Sequence, residues 1–138
     1  MLKDAAKKYY IEQNYNCAET LLRAGNEYYG LRLGEREMTM VGAFGGGIQT
    51  GSVCGALLSA CALLSLRYVE KRAHESADIK PVVQQMIRRF EEKMGSTLCR
   101  EIKPRVFRQD VRCMDTVDAA CDALEATIAA YEASGKNA

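Results

Sequence analysis

Six cysteines, at positions 17, 54, 61, 99, 113 and 121, carry most of the reactive chemistry of this 138-residue chain, which has a single histidine, His74. No two cysteines are spaced CxxC and no CxxCH occurs, so the usual zinc-ribbon and c-type haem patterns are absent. Cooperation between the thiols must therefore come from the fold. A thiolate is a nucleophile, a soft metal ligand and half of a redox couple. No Ser/His/Asp set, phosphate loop or HExxH competes with it. His74 falls in a polar connection, and Arg100, next to Cys99, either lowers a thiol pKa or is an ordinary surface arginine.

The second unusual feature is the run Gly42-Ala43-Phe44-Gly45-Gly46-Gly47-Ile48, which leads to Cys54-Gly55-Ala56. Glycine reaches positive φ and lets another backbone or a ligand come close, at a cost in chain entropy. Gly45, Gly46, Gly47 and Gly55 are therefore candidates to supply backbone amides and space beside Cys54.

Periodicity predicts the elements that position these residues. Leu2 to Gln13 reads as a first helix, and Asn14 or Asn16 caps a second that Gly30 stops. A third spans Gly34 to about Phe44. Ser52 is placed to cap a fourth, Val53 to about Val69, whose small and apolar residues mark it as buried. Asp78 or Lys80 opens a fifth with Pro81 in its first turn, an apolar stripe of Val83, Met86, Ile87, Phe90 and Met94, and Gly95 as its stop. Ser96 caps a short helix with Cys99, limited by Pro104. Asp110 caps the last, striped by Val111, Met114, Val117, Cys121, Leu124, Ile128 and Tyr131. Strand-like alternation is absent. The expectation is an all-α fold, one domain over 1–138, with five or six helices packed antiparallel around a buried helix at about 53–69.

On these helices the cysteines fall into two kinds. Cys17, Cys54, Cys99 and Cys113 lie in first turns, where free amides and the positive end of the helix dipole favour the thiolate. Cys61 and Cys121 sit mid-helix on apolar faces and are expected in the core. Cys54 and Cys61, seven residues apart, would be roughly 10 Å apart along one helix, too far for a disulfide.

Composition narrows the class. Hydrophobic residues make up 48% and charged residues 27%, as in a globular protein, and a net charge of +1 gives no footprint for nucleic acid. The charged N-terminus lacks a secretory pattern, and the Val53 to Leu66 run is too short to span a membrane. A cytoplasmic location is expected. In a reducing compartment six cysteines point to metal or catalysis rather than structural disulfides. A homodimer would let the faces of Tyr9, Tyr10, Tyr15, Tyr28 and Tyr29 bury more apolar surface.

With these residues in view the chain resembles the C_GCAxxG_C_C family of redox-active proteins, over nearly its whole length. Tyr15-Asn16-Cys17-Ala18-Glu19 matches the first cysteine box, Phe44-Gly45-Gly46-Gly47-Ile48 the glycine box, Cys54-Gly55-Ala56 the CGAxxG motif, Phe90 to Arg100 the third cysteine region and Cys113 the fourth. Ser59 replaces the motif's last glycine. It is small enough for close helix packing, although any role that needs a bare backbone there is lost. The resemblance extends to a domain of split-Soret cytochromes, implying an iron-sulfur centre and, without CxxCH, no haem. It also implies a redox or transporter partner. Three functions follow. Cys17, Cys54, Cys99 and Cys113 hold an iron-sulfur cluster or metal ion for electron transfer; two of them cycle as a disulfide or persulfide carrier, with Cys54 as a low-pKa attacking thiolate; or the chain is a helical partner-binding module with structural cysteines.

Overall fold

The computed structural model describes residues 1–135. The all-α expectation holds: seven α-helices form among them, and the only strand-like pairings are two isolated bridges. The helices are α1 (Leu2–Lys7), α2 (Cys17–Tyr29), α3 (Glu35–Met38), α4 (Gly55–Tyr68), α5 (Ile79–Met94), α6 (Cys99–Val106) and α7 (Met114–Ala133). The first predicted helix tightens into α1 and then widens into a π-turn, Lys8–Glu12. The third shortens to α3, because Thr39–Phe44 winds as a 3₁₀ helix. As expected, α4 is buried, with Ala56, Leu57, Ala60 and Leu64 fully enclosed. Phe90, Leu21, Met86 and Leu124 complete the core from α5, α2 and α7. No helix among the described residues is long and apolar enough to cross a membrane.

Helix direction departs from the expectation. Gly55 lies against Cys17 and Gly25 against Leu63, so both helices advance eight residues between contacts and α2 runs parallel to α4. Arg67 and Tyr68, at the end of α4, donate to Glu132 at the end of α7. Tyr28, at the end of α2, donates to Glu125 further down α7. Helices α2, α4 and α7 therefore point the same way. Only the remaining long helices reverse: Leu2 and the following π-turn meet α7 head to tail, through Leu2 N–H to Glu125 at 3.0 Å and Cys113 N–H to the Tyr10 hydroxyl at 3.1 Å. On α5, Asp78 accepts from Tyr131 at 2.6 Å and Arg89 donates to Thr127 at 3.1 Å. The antiparallel expectation fails for α2 and α4 because the long connection between Gly30 and Cys54, with α3 and the 3₁₀ turn, returns the chain to its starting end before α4 begins.

Candidate functional site

Parallel direction puts the N-termini of α2, α4 and α7 at one end of the bundle, and these carry Cys17, Cys54 and Cys113. Asn16 starts α2 through a capping box: its Oδ1 accepts from Glu19 N–H at 2.8 Å while the Glu19 carboxylate accepts from Asn16 N–H at 3.0 Å. Cys17 is thus the first helical residue. Asn14 takes a left-handed turn before it rather than capping.

The expected caps of the other three helices are displaced, two by the pairing of the segments that lead into α4 and α6 and one by a tight turn before α7. Val53 and Leu98 form an antiparallel bridge, with Cys54 N–H donating to Thr97 O at 2.8 Å and Cys99 N–H to Ser52 O at 2.7 Å. Ser52 is therefore spent on pairing, and Cys54 itself is the N-cap of α4. The pairing puts Cys54 and Cys99 on the same face of two adjacent segments. Ser96 accepts from Leu98 N–H at 3.0 Å and donates to Glu101 at 2.6 Å, a turn that precedes α6 without being its cap residue. Asp110 sits in a tight turn closed by Arg108 and Arg112, so α7 begins only after Cys113. Arg112, at φ 52°, lies 3.9 Å from the Tyr10 ring and donates to the carbonyls of Tyr10 and Tyr15.

The glycine run divides its work. Gly46, Gly47, Ile48 and Gln49 all take left-handed φ, between 57° and 65°. This is a turn that a β-branched residue such as Ile48 enters only at a cost in strain. A Cβ on Gly47 would meet the Ser52 backbone at 2.5 Å and the Cys99 Cβ at 2.8 Å; one on Gly55 would meet the Phe44 carbonyl at 2.6 Å and Cys17 Sγ at 3.0 Å. These two glycines let other segments of the chain pack closely around Cys17 and Cys99. Gly45 instead clears the Asn16 side chain, 2.5 Å from where its Cβ would be, and so serves the cap of α2. Gly46 directs its amide to the Cys17 sulfur, where the Ala56 and Ala18 amides also point. Ala56 and Leu57 amides point to Cys54 without closing a cap hydrogen bond. At Cys54 these are the N2 and N3 amides that face a cap residue, the helix-start amides the sequence suggested; at Cys17 the Ala56 amide comes from another helix, which no local pattern gives.

Cys17, Cys54, Cys99 and Cys113 are near enough for charge on one to act on the others: Cys17 and Cys99 each raise the pKa of Cys54 and of Cys113, and Cys99 that of Cys17. Cys61 and Cys121 lie outside this group. Cys121 is fully buried as expected, whereas Cys61 only packs half-buried against the core. All six are free thiols. The expectation that helix starts would lower the thiol pKa is reversed for three of them. Burial pushes Cys17 and Cys113 up, and Cys54, 5% exposed, up to about 12. Desolvation of the charged form outweighs the amides and, at Cys113, Lys103 and Arg112. Tyr10, its hydroxyl on the Cys113 amide, is likewise raised to about 12 by burial. Among the described residues, no three Cys, His, Asp or Glu side chains stand close enough to share a metal ion as the chain is arranged.

The family profile described as "Putative redox-active protein (C_GCAxxG_C_C)" matches residues 15–127, a span that begins two residues before Cys17 and holds every cysteine of the chain. The chain belongs to this family. No curated protein and no solved structure matches it. In this C_GCAxxG_C_C protein Gly55 lets Cys17 approach the start of α4.

Proposed function

We propose that the protein is a redox carrier in which Cys17, Cys54, Cys99 and Cys113 act as one centre, their thiolates formed around a shared iron-sulfur cluster or metal ion. The observation that carries this reading is the convergence of amides from the glycine loop, α2 and α4 on the Cys17 sulfur, while burial raises the pKa of that thiol. Such a site favours an anion once a cation offsets the cost of burial, and a thiolate-bound metal supplies that cation. The donor set suits it: four soft thiols, the usual complement for an iron-sulfur cluster. Their spacing would have to tighten on loading. When bound, the group would supply one-electron chemistry; the chain's own part is to shield the sulfurs, aim amides at them and pack closely around them through Gly47 and Gly55.

Anaerobic reconstitution with iron and sulfide tests this. The expected product is coloured and holds stoichiometric iron, lost on serine substitution at any of the four cysteines and kept on substitution at Cys61 or Cys121. A colourless, iron-free product overturns the reading.

The Val53–Leu98 bridge favours a second reading, a metal-free dithiol made by Cys54 and Cys99 on adjacent segments. An external disulfide would accept two electrons from the pair, both thiols losing a proton as their S–S bond forms. Cys54, with its pKa raised to about 12, is unsuited to attack first, which reverses its expected role. Differential alkylation before and after oxidation should then show Cys54 and Cys99 disappearing together.

A further inference from the structure

An open cleft of about 490 Å³ adjoins the cysteine centre, walled by Gly46, Gly51, Cys99, Arg100, Lys103 and Phe107. This is the size of a small-ligand site rather than of a macromolecular face. Arg100 and Lys103, three residues apart on α6, present two like charges side by side. Among the described residues neither pairs with a carboxylate. Arg100 reaches only the Gly51 carbonyl, at 3.4 Å, and the Lys103 ammonium lies 5.3 Å from the Phe107 ring. Six other cationic side chains among the described residues pair with carboxylates, Lys3, Lys8, Arg23, Arg67, Arg72 and Arg108, while others such as Lys7 and Arg36 stand singly. Phe107, 45% exposed, continues the same face of α6 with Pro104, and Gly46 and Gly51 line the cleft beside them.

We infer that this cleft binds a small organic carboxylate with a planar apolar body and holds it against Cys99. The Arg100 fork and the Lys103 ammonium take the carboxylate, and the Phe107 ring takes the body. The inference does not depend on what the four thiols hold, because the cleft exists in the free-thiol protein.

Two aromatic disulfides serve as probes on the full, reduced, metal-free chain: dithiobis(nitrobenzoate), which carries carboxylates, and the uncharged dithiodipyridine. In each reaction Cys99 gives its proton to solvent and forms a disulfide with one half of the probe, while the probe's own S–S bond breaks and the other half leaves as a thiolate or thione. The quantity read is the ratio of the two rates at Cys99, located by peptide mapping and by its loss in Cys99→Ala. The expected ratio favours the anionic probe and falls about tenfold in Arg100→Ala/Lys103→Ala, the low end of electrostatic steering. It should also fall with added salt in the unaltered protein. A ratio indifferent to both salt and substitution overturns the proposal, as does a fast anionic phase that survives Cys99→Ala. Failure of iron reconstitution would leave the ratio in place, so the two proposals fail separately.

Discussion

The two ends of the parallel helices α2, α4 and α7 are finished in opposite ways. At the C-terminal end the Tyr68 and Tyr131 rings meet edge to face at 5.5 Å. Each hydroxyl there has an acceptor, Glu132 for Tyr68 and Asp78 for Tyr131, and Arg67 lies where a helix C-terminus favours a cation. At the N-terminal end, beyond the Asn16–Glu19 capping box, amides of α2 and α4 face the sulfurs of Cys17 and Cys54, and burial raises the pKa of both thiols. An end whose polar groups are all matched is a structural closure. One that gathers positive helix ends around buried thiols has the charge arrangement that the proposed redox centre requires.

Glycine substitutions give the widest separation between the two ends. Gly47→Ala combines a left-handed φ of 65° with a clash against the Ser52 backbone. It should cost about 3 kcal/mol or more, from overpacking and left-handed strain together. Gly30→Ala, at φ 61° on the C-terminus of α2, meets open space and should cost only about 1 kcal/mol. Urea midpoints at unchanged slope would measure both. Equal losses would mean that crowding at the cysteine end contributes nothing.

Serine substitutions sharpen the contrast within the cysteines. Cys121→Ser buries a hydroxyl at a fully enclosed position, which should cost about 2 kcal/mol and leave iron uptake or disulfide cycling intact. Cys99→Ser, half-buried at the cleft, should change stability by about 0.5 kcal/mol or less and abolish the redox readout. Denaturation and iron content, taken on the same preparations, separate the two.

These positions also mark what the chain reveals without its fold. The α5 stripe was legible because Met86, Phe90 and Met94 repeat at helical spacing and Gly95 stops the helix in a left-handed turn. The sorting of Cys17, Cys54, Cys99 and Cys113 from Cys121 followed from proximity to helix starts alone. Helix direction did not, because it depends on where the connection from Gly30 to Cys54 leads, and no local pattern encodes that. The caps at Ser52 and Asp110 were misread for a related reason: the Val53–Leu98 and Arg108–Arg112 bridges are non-local or turn-borne pairings that claim residues with good capping propensity. The thiol pKa values followed burial, which a single sequence indicates poorly at helix ends.

Alkaline pH tests the uncharged state of the buried sulfurs. Cys54 titrates in the unfolded chain near 8.5 and in the folded protein only at about 12. Between those values the unfolded state binds fewer protons. The stability contributed by the buried neutral thiol is thus fully present below about pH 8.5 and is lost as pH rises toward 12. Urea midpoints should fall across this window, with Cys54 contributing a slope of up to about 1.4 kcal/mol per pH unit. Cys54→Ala should flatten the profile. An unchanged slope in that variant would mean the sulfur is solvated after all.

The smallest effect is expected at Ser59, where the family motif has glycine. Its side chain is fully buried on α4 and its Oγ has no hydrogen-bond partner, not even the carbonyl one turn back that a helical serine often uses. Ser59→Ala removes the unpaired hydroxyl and improves helix propensity, and should stabilise by about 0.5–1 kcal/mol. Ser59→Gly removes the same hydroxyl but adds a glycine's backbone entropy in a helix interior, about 0.5 kcal/mol less favourable than serine, so its net change should be close to zero. If the glycine variant instead gained more than the alanine one, α2 and α4 must be held apart by the Ser59 Cβ. The approach of Cys17 to Gly55 would then be limited by that contact further down the same helix pair, and the thiols could be drawn closer simply by restoring the motif.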